Sequence, residues 1–179
     1  MGNVTKTRIL IVIVIIIIAV LTFIAIRQTL EVHHFQERLG HDYASEIRSL
    51  EFNLVEEQID LWFDKVEQGD YREVSNDINY FQYKVKLVPR NAGEVPYMNL
   101  LKINNLFRDY DEGDSEKEIR REYEFLQNLL ADLEEHVTER LETDRGTREL
   151  YHELNDSDSE LNRELQNRFN EHIQSSENQ

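Results

Sequence analysis

The stretch SEKEIRREYEFLQNLLADLEEHVTERL, residues 115–141, decides the fold of this chain. Its apolar residues Ile119, Tyr123, Leu126, Leu130, Leu133, Val137 and Leu141 recur at steps of three and four. That spacing places them on one face of an α-helix and leaves the charged residues on the other. Ser115 and Glu118 form an S-x-x-E capping box, with the Ser115 hydroxyl and the Glu118 carboxylate meeting the first free amides of the helix. A stripe sustained this long suits bundle or coiled-coil packing.

The same period extends in both directions. From Glu31 to Gln68 the stripe holds Phe35, Leu39, Tyr43, Ile47, Leu50, Leu54, Leu61 and Trp62, with a possible kink at Gly40. Tyr71, Val74, Ile78, Phe81, Val85 and Val88 follow, behind Asp70 as an N-cap. Pro89 and Pro96 bracket a loop, and a shorter helix runs from Tyr97 to about Tyr110. Beyond the central stretch come Leu150, Tyr151 and Leu154, a break near Asn155-Asp156-Ser157, then Leu161, Leu165, Phe169 and Ile173. Gly40, Gly69, Gly93, Gly113 and Gly146 read as punctuation between helical runs. No segment alternates with the two-residue period of a strand. The expectation is an all-α domain, an antiparallel helical bundle of about four to five helices. The turn Glu67–Tyr71, with Pro89 one helix later, resembles the inter-helix turn of tetratricopeptide repeats. That repeat's period of roughly 34 residues is absent, so a generic helical hairpin is expected.

Upstream the pattern changes. Ile9 to Ile26 is an apolar run of 18 residues in which only Thr22 carries a polar group. At ~1.5 Å per residue it covers roughly 27 Å, close to the hydrocarbon thickness of a bilayer. It exceeds the core of a cleaved signal peptide and lacks small residues at the positions a peptidase reads, so it is expected to remain as a signal-anchor. The chain therefore divides into a cytoplasmic segment 1–8, a single-pass transmembrane helix 9–27, an acidic helical domain 28–174 and a disordered tail 175–179. Lys6, Arg8 and the α-amine stand before the span against Arg27 and Arg38 after it. The positive-inside rule then puts the domain outside the cytoplasm, on the cell membrane.

Only Lys6, Arg8 and Arg27 of the 20 bases precede residue 28; the remaining 17 face all 36 acids, a net charge of −19. Such a surface excludes wrapping of DNA or RNA, whose phosphates are held by Lys and Arg. The absence of cysteine removes disulfides, thiolate catalysis and Fe–S ligation.

Candidate chemistry is sparse. His33, Glu37 and His41 are spaced for one helix face and can ligate a transition metal, but their juxtamembrane place equally suits plain solvation. Asp109 to Glu116 is acid-rich, yet Gly113 falls one place early for a calcium loop, so turn and helix-cap roles are expected there. Asn155 to Glu160 reads the same way. Trp62, Phe63, Tyr80, Phe81 and Tyr83 can meet in space as core, as a partner surface or as a small-molecule pocket. Lys84, Lys86 and Arg90, with Lys102 nearby, are the one basic concentration of the domain. They serve either intramolecular pairing or an anionic partner. Phosphate-loop, nucleophile-elbow and zincin signatures are missing, and no cofactor or metal is expected.

The reading is a non-enzymatic, membrane-anchored interaction protein (scaffold, adaptor or regulator). Its candidate interaction residues are Trp62, Phe63, Tyr80, Tyr83, Lys84, Lys86 and Arg90. A membrane or envelope protein is the expected partner, and self-association through the Ile119–Leu141 helix is a further expectation. The alternative is an extracytoplasmic helical sensor that binds a small ligand or cation and signals through a partner.

Overall fold

The computed structural model describes residues 2–110 and 114–177, and these form seven α-helices with no strand among them. They are α1 (Gly2–Asn53), α2 (Glu56–Glu67), α3 (Tyr71–Val85), α4 (Arg90–Arg108), α5 (Asp114–Arg140), α6 (Asp144–Asn155) and α7 (Glu160–Glu177). The all-α reading with an N-terminal helix apolar and long enough to cross a membrane holds.

α1 is a single helix of 52 residues, about 78 Å at helical rise. Every large apolar side chain from Ile11 to Ile26 is exposed. Beyond Gly40 the same helix turns amphipathic, and Ala44, Ile47 and Leu50 enter the core. Gly40 does not kink α1. It lies where α6 crosses: a Cβ there would stand 2.5 Å from the Thr147 carbonyl oxygen and 2.8 Å from its methyl. Only a residue without Cβ lets the two backbones meet.

The stripe from Glu31 to Gln68 is two helices rather than one. α1 ends at Asn53, and Leu54-Val55 turn the chain into α2. α5 fastens the break, because the Tyr123 hydroxyl donates to the Val55 carbonyl at 2.8 Å and Gln127 Nε2 to the Leu54 carbonyl at 2.8 Å. Buried carbonyls at a helix end need such donors. Phe35 and Leu61, assigned to the stripe by spacing, are exposed.

Three further boundaries differ from the sequence reading. The segment Arg90–Val95, read as a loop, is the first part of α4, with Pro96 inside the helix. Gly93 and Gly146 accordingly lie within helices. α5 starts one residue before Ser115, and Glu118 faces Lys102 at 3.7 Å and Arg121 at 3.8 Å instead of reaching back to cap the helix. α7 runs through Glu177, so helix covers the start of the segment read as a tail. Gly113 and part of the acidic Asp109–Glu116 turn lie outside the described residues.

Two caps anchor the rest. Asp70 accepts from the Glu73 amide, as its position suggests, after Gly69 has taken the left-handed conformation (φ 83°) that ends α2. Thr143 accepts from the Gly146 amide at 3.0 Å and starts α6. α5 runs antiparallel to α1, since Arg48 meets Glu134 and Thr138 while Val55 meets Tyr123. α6 packs on α1 and α5, α3 pairs with α4, α4 rests on α5, and α7 lies against α4 and α6. The centre is Trp62, fully buried, edge-on to Phe81, Phe107 and Tyr123 at 5.6–6.1 Å between ring centroids. Each such side chain contributes roughly 1.5–3 kcal/mol by leaving water.

Candidate functional site

Two groups of residues stand out, one buried and one exposed. The buried one is Glu122 of α5, whose carboxylate lies among donors from three helices. Asn99 Nδ2 of α4 donates at 3.1 Å and Lys102 Nζ of α4 at 2.8 Å. Arg121 Nη2 approaches to 3.4 Å, and His172 Nε2 of α7 to 3.0 Å. The His172 ring also stacks on Phe125 at 4.1 Å. Burial pushes the Glu122 carboxyl upward, but Lys102 and His172 outweigh it, and the net displacement is below the ordinary carboxylate range. The group is a charged clamp that ties α4, α5 and α7 together.

The exposed group lies on the α3–α4 hairpin. Here the expected interaction residues separate. Trp62 and Phe63 belong to the core and present nothing to a partner; Phe63 lies 5.2 Å from Phe107 and under the Arg120 guanidinium at 4.7 Å. Phe81 is buried with them. Tyr80 and Tyr83 are 53% and 60% exposed on α3, and Leu87, in the turn that follows, is exposed as well. Lys84 reaches from this helix to Glu46 of α1 at 2.9 Å, and that hydrogen bond holds its ammonium above its ordinary pKa. Lys86 lies over the Tyr97 ring at 4.9 Å, and Arg90 opens α4; both are exposed and neither has a carboxylate partner among the described residues. Lys102 belongs to the Glu122 clamp instead.

Sequence reasoning marked the bases of this hairpin but not the scarcity of acids around them. From Ile78 to Arg108 the chain carries five bases (Lys84, Lys86, Arg90, Lys102 and Arg108) and the single acid Glu94. In the same interval lie Tyr80, Tyr83, Leu87 and Met98, the exposed large apolar side chains found beyond Leu61 among the described residues. A sliding count of acids along the chain would have marked it.

The other candidates resolve into structural pairs. Glu37 is engaged by Arg148 of α6 and, at 3.2 Å, by His34, so it is not held toward His33 and His41. Its carboxyl lies below the ordinary range because those partners outweigh the upward push of desolvation. Among the described residues no group of three or more His, Asp or Glu converges as metal ligands. Asp109 is gripped by Arg108 at 3.1 and 3.2 Å. Asp156 accepts from the Asp158 amide at 2.9 Å and Ser159 from the Asn162 amide at 3.1 Å, making the Asn155–Glu160 segment a turn and a helix start. The apolar stripe of α5 is spent inside its own domain: Leu126, Leu129, Leu130, Leu133 and Val137 are all buried, so self-association cannot use that face.

No family model matches the chain, and neither curated proteins nor solved structures give a match.

Proposed function

We propose that this chain is a membrane-anchored, non-enzymatic interaction protein whose domain is held upright from the bilayer to present the α3–α4 face to a protein partner. The carrying observation is the continuity of α1, which leads from an exposed apolar run directly into the bundle core. A flexible linker would let the domain wander; a helix locked to α6 at Gly40 and to α5 at Arg48 holds it at a fixed height and orientation. Anchorage also raises the effective concentration of partners in the same membrane. The exposed tyrosines, with unpaired cations beside them, have the composition of a contact surface. The reading includes a single-pass topology on the cell membrane, with the domain outside the cytoplasm.

Membrane fractionation with alkaline extraction tests the anchor. The full chain is expected in the membrane pellet, and Ile15→Arg with Ile18→Arg is expected to release a folded, helical protein to the soluble fraction. A wild-type chain washed off by alkali would overturn the reading. Protease added to intact cells tests topology: the domain is expected to be cleaved, and full protection would reverse the orientation.

A further inference from the structure

The domain carries two exposed charge features of opposite sign, and α1 sets both at one height. On one side is the basic, aromatic face of α3–α4. On the other is α5, whose outward residues Glu135 and Glu139, continued by Glu142 just past its end, form an acidic row. All three are exposed, and none has a hydrogen bond or ion pair with another described residue. Arg90 stands in the first turn of α4, where cations are disfavoured, and Glu139 in the last turn of α5, where carboxylates are. Neither of these two residues is favoured by the dipole of the helix that bears it.

α1 gives the registration. Lys84 of α3 bonds Glu46, and Arg48, two residues further, donates to Glu134 and Thr138 of α5. Two residues are about 3 Å along a helix and about 200° around it. The basic face and the acidic row therefore flank α1 on opposite sides at nearly equal height. Counting from Ile26, that height is about 30 Å along the helix.

We infer that the partner on the α3–α4 face is a second copy of this chain. Copies standing side by side in one membrane bring Lys86 and Arg90 of one against Glu135, Glu139 and Glu142 of the next. Tyr80, Tyr83 and Leu87 supply the apolar contact. The two surfaces differ, so the contact is head-to-tail and continues from copy to copy. The net charge of −19 after residue 27 repels copies at long range, but at about 0.15 M salt it is screened beyond ~8 Å, and at contact the local complementarity decides. Confinement to the membrane plane supplies the effective concentration that so small a contact requires. This inference rests on the anchoring reading above.

The test uses the full-length chain with donor or acceptor dyes, reconstituted in phosphatidylcholine vesicles and floated on a density gradient before energy transfer is read. Wild-type copies are expected to transfer energy well above the level set by random crowding at the same lipid-to-protein ratio. Lys86→Glu with Arg90→Glu, and separately Glu135→Lys with Glu139→Lys, are each expected to weaken association by at least about tenfold. All four positions are exposed, so unchanged thermal melts confirm that both variants fold. In a mixture both contacts between unlike variants are of opposite charge, one with the two reversed surfaces and one with the two unaltered ones, and energy transfer between them is expected to return. Crowding-level transfer in the wild type, or association indifferent to either reversal, would overturn the inference. Failure to float with the vesicles would overturn the anchoring reading, and this inference with it.

Discussion

The two halves of α1 share one backbone and differ in everything their side chains meet. From Ile11 to Ile26 the helix is apolar on every side and touches nothing else in the chain. From Gly40 to Asn53 it alternates, and only one stripe (Ala44, Ile47, Leu50) is buried while Arg48 and Glu46 reach to neighbouring helices. An all-round apolar helix needs an apolar solvent; a one-sided one needs a partner surface. The difference teaches that a helix can be continuous in hydrogen bonding while the surroundings its side chains suit change midway, from an apolar medium to tertiary packing.

The sharpest break in this comparison removes the surface on which the packed half rests. Leu126→Asp with Leu133→Asp puts two charges into the core without partners, and the expected loss exceeds about 5 kcal/mol. In detergent, circular dichroism should then show no cooperative melt of the domain, while the free half of α1 keeps its helicity. A retained cooperative transition would mean that the α5 stripe is not the core.

Next in size is Glu122→Ala, which leaves Lys102 and His172 facing each other without their carboxylate. Removing one member of such a buried group costs about 3–5 kcal/mol, read by denaturant unfolding. The same group predicts the acid limb of stability. The Glu122 pKa in the fold is below its ordinary value of 4.5, so its stabilisation is complete above that pH and is lost as pH falls through the lower folded value. Glu122→Gln should flatten the pH dependence of stability below about 4.5.

Gly40→Leu attacks the junction between the halves. Its side chain collides with the Thr147 backbone, and overpacking of this kind costs about 1–3 kcal/mol; Gly146→Ala is not a substitute, since its Cβ meets a different carbonyl. Thr143→Ala removes the cap that begins α6 beside this junction, at about 1 kcal/mol. The smallest effect belongs to the exposed stretch between the two halves: Leu30→Gln with Val32→Gln should leave unfolding of the domain within about 0.5 kcal/mol of wild type. A larger change would show that these exposed side chains contact the domain after all.

Period carried most of what was legible. Ile47, Leu50, Val74, Ile78, Ile119, Leu126, Leu133, Leu150 and Leu165 were assigned to the core by spacing and are buried. The spacing rule failed where the chain changes direction without a marker. Leu54 and Val55 look like any apolar pair, and only Tyr123 and Gln127, distant in sequence, stabilise a break there. Glycine misled for a related reason. Gly69 does end a helix with positive φ, but Gly40 serves a close approach between helices, and one sequence cannot tell the two uses apart. In the candidate site, Trp62 and Phe63 share the helical spacing of partner-facing aromatics, yet they fill the core, whereas Tyr80 and Tyr83 face outward.

The sequence by itself determined the apolar run, its length against a bilayer, the helical class and the sign of the surface charge. These are properties of composition and local period, which the chain carries before it folds. Tertiary structure alone decided that the apolar run and the first bundle helix are one rod, that Glu122 is clamped by three helices, and that an acidic row and a basic face stand level on opposite sides of α1. Each depends on residues far apart in sequence meeting in space, where packing and charge pairing, and not local propensity, select the arrangement.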